Sequence, residues 1–252
     1  MNKLFFLLIS FLLPSLLFAQ KNKKVNYSFS KINNLTIDAN IDDWADNLYS
    51  ISEDFWSFGV TEQNNELFVA IVIKDLQLQR EAFRGGLFVD ISYDAKKKDG
   101  ARLNFPYWDR ERKRAIANDE EMDQKNFEKE LLDNVNGYYI TGFNRIINGV
   151  LALDNDYGIV ARVNIDSNKL LIYEAKIPLN LVGVKSKEVA IHVGVNTQFA
   201  MLKAAAEYAN KNRRNNNMYS PYPMMGRPIM QSTLKNPYKA DTDAWIIDTI
   251  GK

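Results

Sequence analysis

The residues best arranged for chemistry lie near the start of the chain, in Leu35-Thr36-Ile37-Asp38-Ala39-Asn40-Ile41-Asp42-Asp43-Trp44. Three carboxylates, Asp38, Asp42 and Asp43, fall within six residues. With backbone carbonyls they form the hard oxygen set that a calcium ion takes, although not at the spacing of a helix-loop-helix calcium loop. The same residues support a purely structural reading. Asp38 and Asn40 suit Asx turns after a short strand carrying Leu35 and Ile37. Asp42 or Asp43 suits the cap of a short helix over 43–48, and Trp44 suits a plug at the end of a sandwich. Both readings stand at this level.

The second set is aromatic. Tyr107-Trp108-Asp109 stands at the mouth of a charged stretch, and Trp56 lies in Phe55-Trp56-Ser57-Phe58. Adjacent aromatics in a loop are hard to bury. A ring plane flanked by polar groups is what a sugar needs, since its C–H face packs on the ring while its hydroxyls take fixed hydrogen bonds. Tyr107, Trp108, Asp109 and Trp56 are therefore the candidate ligand residues, whereas Trp245, in the last strand, reads as core. His192 is the only histidine. It lies on the strand face opposite Ile191 and Val193, a structural or surface position rather than a catalytic one. Glu174 shares a face with Leu170, Ile172 and Lys176; if that face is buried, the simplest partner is an Arg or Lys on a neighbouring strand. The chain has no Gly-x-Ser-x-Gly, His-Glu-x-x-His or phosphate-binding glycine loop, so an enzyme is not the leading expectation, although a glycosidase needs only two carboxylates.

The elements that must position these residues are strands. Leu67 to Ile73 is a continuous apolar, β-branched run of the kind buried on both faces, and Leu87 to Tyr93 alternates. Tyr138 to Phe143, Gly149 to Leu153 and Gly158 to Ile165 continue the pattern between Asn-Gly and Asp-Asn-Asp turns. Asp166-Ser167-Asn168 turns the chain into Leu170 to Ile177. Val189, Ile191, Val193 and Val195 share one face, and Ala244 to Ile250 closes the domain. The expectation is an all-β, antiparallel β-sandwich of about eight to ten strands. Two stretches interrupt it. Asp109 to Asn134 is a charged excursion, with an amphipathic helix expected over 119–132, and Ala200 to Gly226 holds a short helix over 201–208, before the last strand. Beyond that helix, Asn210 to Asn217 is too polar to pack and Pro221, Pro223 and Pro228 prevent regular structure.

Four segments, in order, resemble the family 9 carbohydrate-binding modules and their relatives. They are Ile37-Asp38 with Ile41-Asp42-Asp43-Trp44, the strand Glu66 to Asp75, Leu87-Phe88-Val89-Asp90, and Tyr173-Glu174-Ala175-Lys176-Ile177-Pro178. The resemblance implies a β-sandwich related to the DOMON superfamily, binding sugars, sometimes with structural calcium. A few relatives hold haem through Met, His or Lys. Met201, Met218, Met224, Met225 and Met230 follow His192, but in a Pro-broken stretch without an attachment motif, so haem is not expected. The resemblance transfers no ligand position by motif. A structural or assembly protein of the envelope that keeps the fold without a sugar site is the alternative.

Composition bounds the partners. Lys3, the apolar run Leu4 to Phe18 and Leu17-Phe18-Ala19 have the three parts of a cleaved export signal over residues 1–19, leaving one domain over 20–252. A run of about 15 apolar residues is short of the roughly 20 needed to span a bilayer. There is no cysteine, hence no disulfide, thiolate metal site or lipid-modified cysteine, and the expected product is periplasmic or extracellular and not lipid-anchored. Without Lys3 the chain carries 31 basic and 31 acidic residues, a balance that draws in neither nucleic acid nor anionic lipid.

Overall fold

The five-stranded half of the molecule is organised by a two-residue hairpin. Asn64 and Asn65 take positive φ values of 52° and 65°, the mirror-image turn whose twist matches that of the strands it joins. They connect β2 (Trp56–Gln63) to β3 (Glu66–Ile73), which pair from Trp56↔Ile73 to Gln63↔Glu66. With β1 (Tyr49–Ile51), β8 (Val160–Ile165) and β9 (Leu171–Pro178) they form an antiparallel sheet in the order β1-β2-β3-β9-β8. The second sheet runs β11-β10-β4-β5-β6-β7. It is built from β4 (Leu87–Ile91), β5 (Ala101–Tyr107), β6 (Gly137–Thr141), β7 (Gly149–Leu151), β10 (Glu188–Val195) and β11 (Asp243–Thr249). The structure is a computed structural model and describes residues 26–251 except 33, 45, 54, 110, 112–113, 115–126 and 217–234. Residues 1–19, expected to be an export signal, much of the charged excursion, the three prolines 221, 223 and 228, and Met218, Met224, Met225 and Met230 lie outside the described residues.

Side chains from both sheets share one core. Val60, Ile71 and Tyr173 from the first sheet lie in one buried cluster with Val89, Leu103 and Ile191 from the second. The period of two puts Val189, Ile191, Val193 and Val195 into that core, all buried. Asp166 makes the β8–β9 turn by accepting from the Asn168 and Leu170 N–H groups at 2.9 and 2.7 Å. These features agree with the all-β expectation, with eleven strands among the described residues.

Several elements differ from the sequence expectation. The connection before Gly85-Gly86 is a helix, α1 (Leu76–Gly85). Asp75 caps it by accepting from the Leu78 N–H at 2.9 Å, Leu78, Ala82 and Phe83 are buried, and Gly86 ends it at φ 78°. Among the described residues, 35–37 form no strand and 43–48 no helix; turns follow one another from residue 41. The strands β1, β2 and β5 are additional. Of the excursion, α2 (Phe127–Asp133) is described. The helix before the last strand, α3 (Gln198–Asn216), continues through the polar residues expected to end it. Its start is held by two contacts: Thr197 Oγ1 accepts from Ala200 N at 3.1 Å, and Glu81 of α1 accepts from Gln198 N at 2.8 Å. Among the described residues no helix is long and apolar enough to cross a membrane.

Candidate functional site on the six-stranded sheet

Alternation that drives valines inward leaves Phe88, Asp90, Arg102, Asn104, His192, Asp243 and Trp245 on the outer face of the six-stranded sheet. Register then brings together residues far apart in the chain. His192 lies opposite both Asp90 and Trp245, Asp90 opposite Arg102, and Phe88 opposite both Gly194 and Asn104. The result is a row of ring and guanidinium planes across four strands. Trp245 stacks on His192 at 4.2 Å and 8°, His192 meets Phe88 edge-on at 4.8 Å, and the Arg102 guanidinium covers the Phe88 ring at 4.0 Å.

The polar members of this face are held in fixed orientations. Arg102 donates from Nη2 to Asn196 Oδ1 at 2.7 Å and from Nε to Asn104 Oδ1 at 3.2 Å, and its Nη1 lies 3.7 Å from Asp90. Asn196 donates from Nδ2 to the Gly85 carbonyl and to Asn104, each at 3.0 Å. Asp90 is buried beneath the loop after β4 and accepts from the Gly100 N–H at 2.8 Å. Burial pushes its carboxyl up, against the opposing pull of Gly100 and Arg102. His192 Nε2 and Asp243 Oδ2 are 2.7 Å apart, and this hydrogen bond holds the Asp243 carboxyl below the usual carboxylate range.

The first turns of α3 stand over this face and enclose a cleft of about 380 Å³ lined by Phe88, His192, Asn196, Phe199, Lys203 and Asp243 among others. That size lies at the lower end of small-ligand sites. Its walls mix ring faces with oriented hydrogen-bonding groups.

The aromatic residues chosen from the sequence are elsewhere. Trp56 is buried in the main core and donates from Nε1 to the Asp241 carbonyl at 2.8 Å. Trp108 is 7% exposed and donates from Nε1 to the Leu131 carbonyl at 2.7 Å. Tyr107 is half-buried at the end of β5, its ring 5.6 Å from that of Tyr139, and Asp109 accepts from Asn136 Nδ2 at 2.7 Å. Both indoles have their faces in the core, so this group forms no open aromatic platform. Trp245, expected in the core, faces outward and is half-buried.

The Asp38–Trp44 segment lies on the outer face of the five-stranded sheet. Trp44 is fully buried with Phe68 and Ala70, packed also against Leu35, Ile37 and Leu48. It covers a sheet face rather than plugging a sandwich end. Glu174 is fully buried, but its partners are donors from this segment and not a cation on a neighbouring strand. Its Oε1 accepts from Trp44 Nε1 at 2.8 Å, and its Oε2 from the Asp38 and Ala39 N–H groups at 3.0 and 2.7 Å. Asp38 accepts from Asn40 N at 2.8 Å, Asp42 from Asn40 Nδ2 at 3.1 Å, and Asp43 from Thr36 N at 3.0 Å. The carboxylates thus serve the local backbone and turns. Among the described residues no group of three or more His, Asp or Glu side chains is placed to hold a metal ion.

Sequence reasoning missed this group because Phe88 reads there only as part of a strand segment, and Arg102, Asn104 and Asn196 belong to no local motif. The available signal was alternation: outward Asp90 and His192 on apolar strands implied a polar outer face. Comparison of the chain with protein-family models, curated proteins and solved structures finds no match in any of the three.

Proposed function

We propose that the protein is an exported, non-catalytic binding module that takes a carbohydrate in the cleft between α3 and the six-stranded sheet. The observation that carries this reading is one cleft in which the half-buried Phe199 and the rim of the His192 ring stand beside Asn196 and Asp243, both held by hydrogen bonds, and beside Lys203. A saccharide presents apolar C–H faces and a rim of hydroxyls, and needs both kinds of contact at fixed spacing. Because Arg102, Asn104 and Asn196 already orient one another, little side-chain freedom is lost on binding. The four segments that resemble the family 9 carbohydrate-binding modules support the same function, and the features of residues 1–19 support export.

The test is a panel of soluble xylan, mannan and β-glucan in affinity electrophoresis, followed by calorimetry on oligosaccharides. Phe199→Ala should weaken binding about tenfold or more, whereas Tyr107→Ala, outside the cleft, should leave it unchanged. A panel without a single binder would overturn the proposal.

A second reading draws on a different surface. Ile147, Val150, Leu153 and Tyr157 are 91, 59, 43 and 40% exposed, a run of large apolar residues around β7 that suits a protein partner and the envelope-assembly alternative. One stoichiometric partner captured from an envelope extract, and lost on Ile147→Asp, would favour it.

A further inference from the structure

The cleft contains one ring nitrogen whose role the surrounding contacts define. His192 Nε2 is engaged by Asp243 Oδ2 at 2.7 Å, while Nδ1 makes no hydrogen bond with any described residue and is not among the enclosed, unpartnered polar atoms. The imidazole is fixed on its other sides. Trp245 stacks on its face at 4.2 Å and Phe88 meets it edge-to-face at 4.8 Å. Asp243 is exposed and, like any solvated carboxyl, ionised at neutral pH. An ionised carboxylate only accepts, so it selects the tautomer with the proton on Nε2 and leaves the lone pair on Nδ1. This is the logic by which a carboxylate orients a metal-bound imidazole, applied here without a metal.

We infer that His192 is the residue that reads a ligand hydroxyl in the cleft, accepting its proton at Nδ1, with Asp243 as the positioning residue that sets the tautomer. The inference rests on the carbohydrate reading and deepens it. The charged groups facing the imidazole are Asp90 from β4, Asp243 from β11 and Arg102 from β5. Lys97 lies over the far side of Trp245, and Lys203, Glu207 and Asp241 line the same cleft.

The chain has a single histidine, so a long-range ¹H–¹⁵N spectrum of the full chain reports its two ring nitrogens without assignment. The expected result at neutral pH is a protonated Nε2 and a pyridine-type Nδ1, with Nδ1 shifting when xylohexaose, mannohexaose or cellohexaose is added. Affinity for whichever of these binds should fall about tenfold in His192→Ala, the loss of one hydrogen bond. Asp243→Asn, which removes the carboxylate that fixes the tautomer, should weaken binding as well. A proton on Nδ1 in the wild type would overturn the inference. Binding that needs Phe199 but is unchanged in His192→Ala would also overturn it and leave the carbohydrate reading intact. Failure of all three oligosaccharides and all three polysaccharides would remove both.

Discussion

Gly59→Ala should destabilise the protein, although the same substitution at an unobstructed strand position stabilises. Replacing Gly with Ala removes conformational entropy from the unfolded chain and, where the native backbone tolerates it, is worth about 0.4–1 kcal/mol. Here a Cβ would stand 2.7 Å from Cε3 and Cζ3 of Trp44 and 2.9 Å from Cδ2 of Leu48. Ordinary carbon contacts are about 3.5–4.0 Å, so the indole would have to retreat by roughly 1 Å. That ring is not free to move. Its Nε1 donates to Glu174 at 2.8 Å, and a retreat of that size takes the pair beyond hydrogen-bonding distance. The chain therefore either accepts overpacking, at about 1–3 kcal/mol, or gives up a hydrogen bond to a charged group, at about 1.5–3 kcal/mol. After the entropic gain the net loss is about 1.5 kcal/mol. For a chain of this length that lowers Tm by about 3–6 °C. Urea unfolding measures the energy directly. A cycle with Trp44→Phe, which lacks the obstructing ring atoms, should show a coupling of about 1 kcal/mol or more. A neutral or stabilising Gly59→Ala, or strict additivity with Trp44→Phe, would refute the argument that Trp44 lies pinned over Gly59.

The other predictions concern carboxylates. Glu174→Ala strands the Trp44 indole N–H and the Asp38 and Ala39 backbone donors, and should cost about 2–4 kcal/mol in urea unfolding; a loss under about 0.5 kcal/mol, the range of an ordinary surface change, would contradict the network. Asp243 has a folded pKa below its unfolded one, so its contribution is complete above the unfolded value and disappears as pH falls through the folded value. The wild type should thus lose more stability in acid than Asp243→Asn, and superimposable acid-denaturation curves would count against the His192–Asp243 contact. Because Asp38, Asp42 and Asp43 already accept from their own segment, excess chelator should leave Tm unchanged; a clear fall would instead indicate a bound calcium ion at these residues.

Much of the fold follows from patterns a few residues long. The alternation of Val189, Ile191, Val193 and Val195, the apolar run Leu67 to Ile73 and the Asp166-Ser167-Asn168 turn carry their meaning locally, because side-chain period and turn geometry are properties of the nearby backbone. Asp75 shows where such a pattern is ambiguous. It reads as the end of a strand, yet β3 stops at Ile73 and Asp75 caps α1, and only the buried Leu78, Ala82 and Phe83 show that the chain continues as a helix. Trp108 shows where local reasoning fails. Adjacency to Tyr107 says nothing about burial, and its indole enters the core because the Leu131 carbonyl, on α2, takes its N–H.

By itself, then, the sequence determined the class of structure: two faces per strand, turns between them, a core without disulfides, and an N-terminus built like an export signal. Tertiary structure alone decided where a ligand could sit. Phe88, Arg102, His192 and Asp243 come together through antiparallel register, and one residue of slip would turn each of them to the opposite face. Register is set by all the pairings in the sheet at once, and no single segment states it.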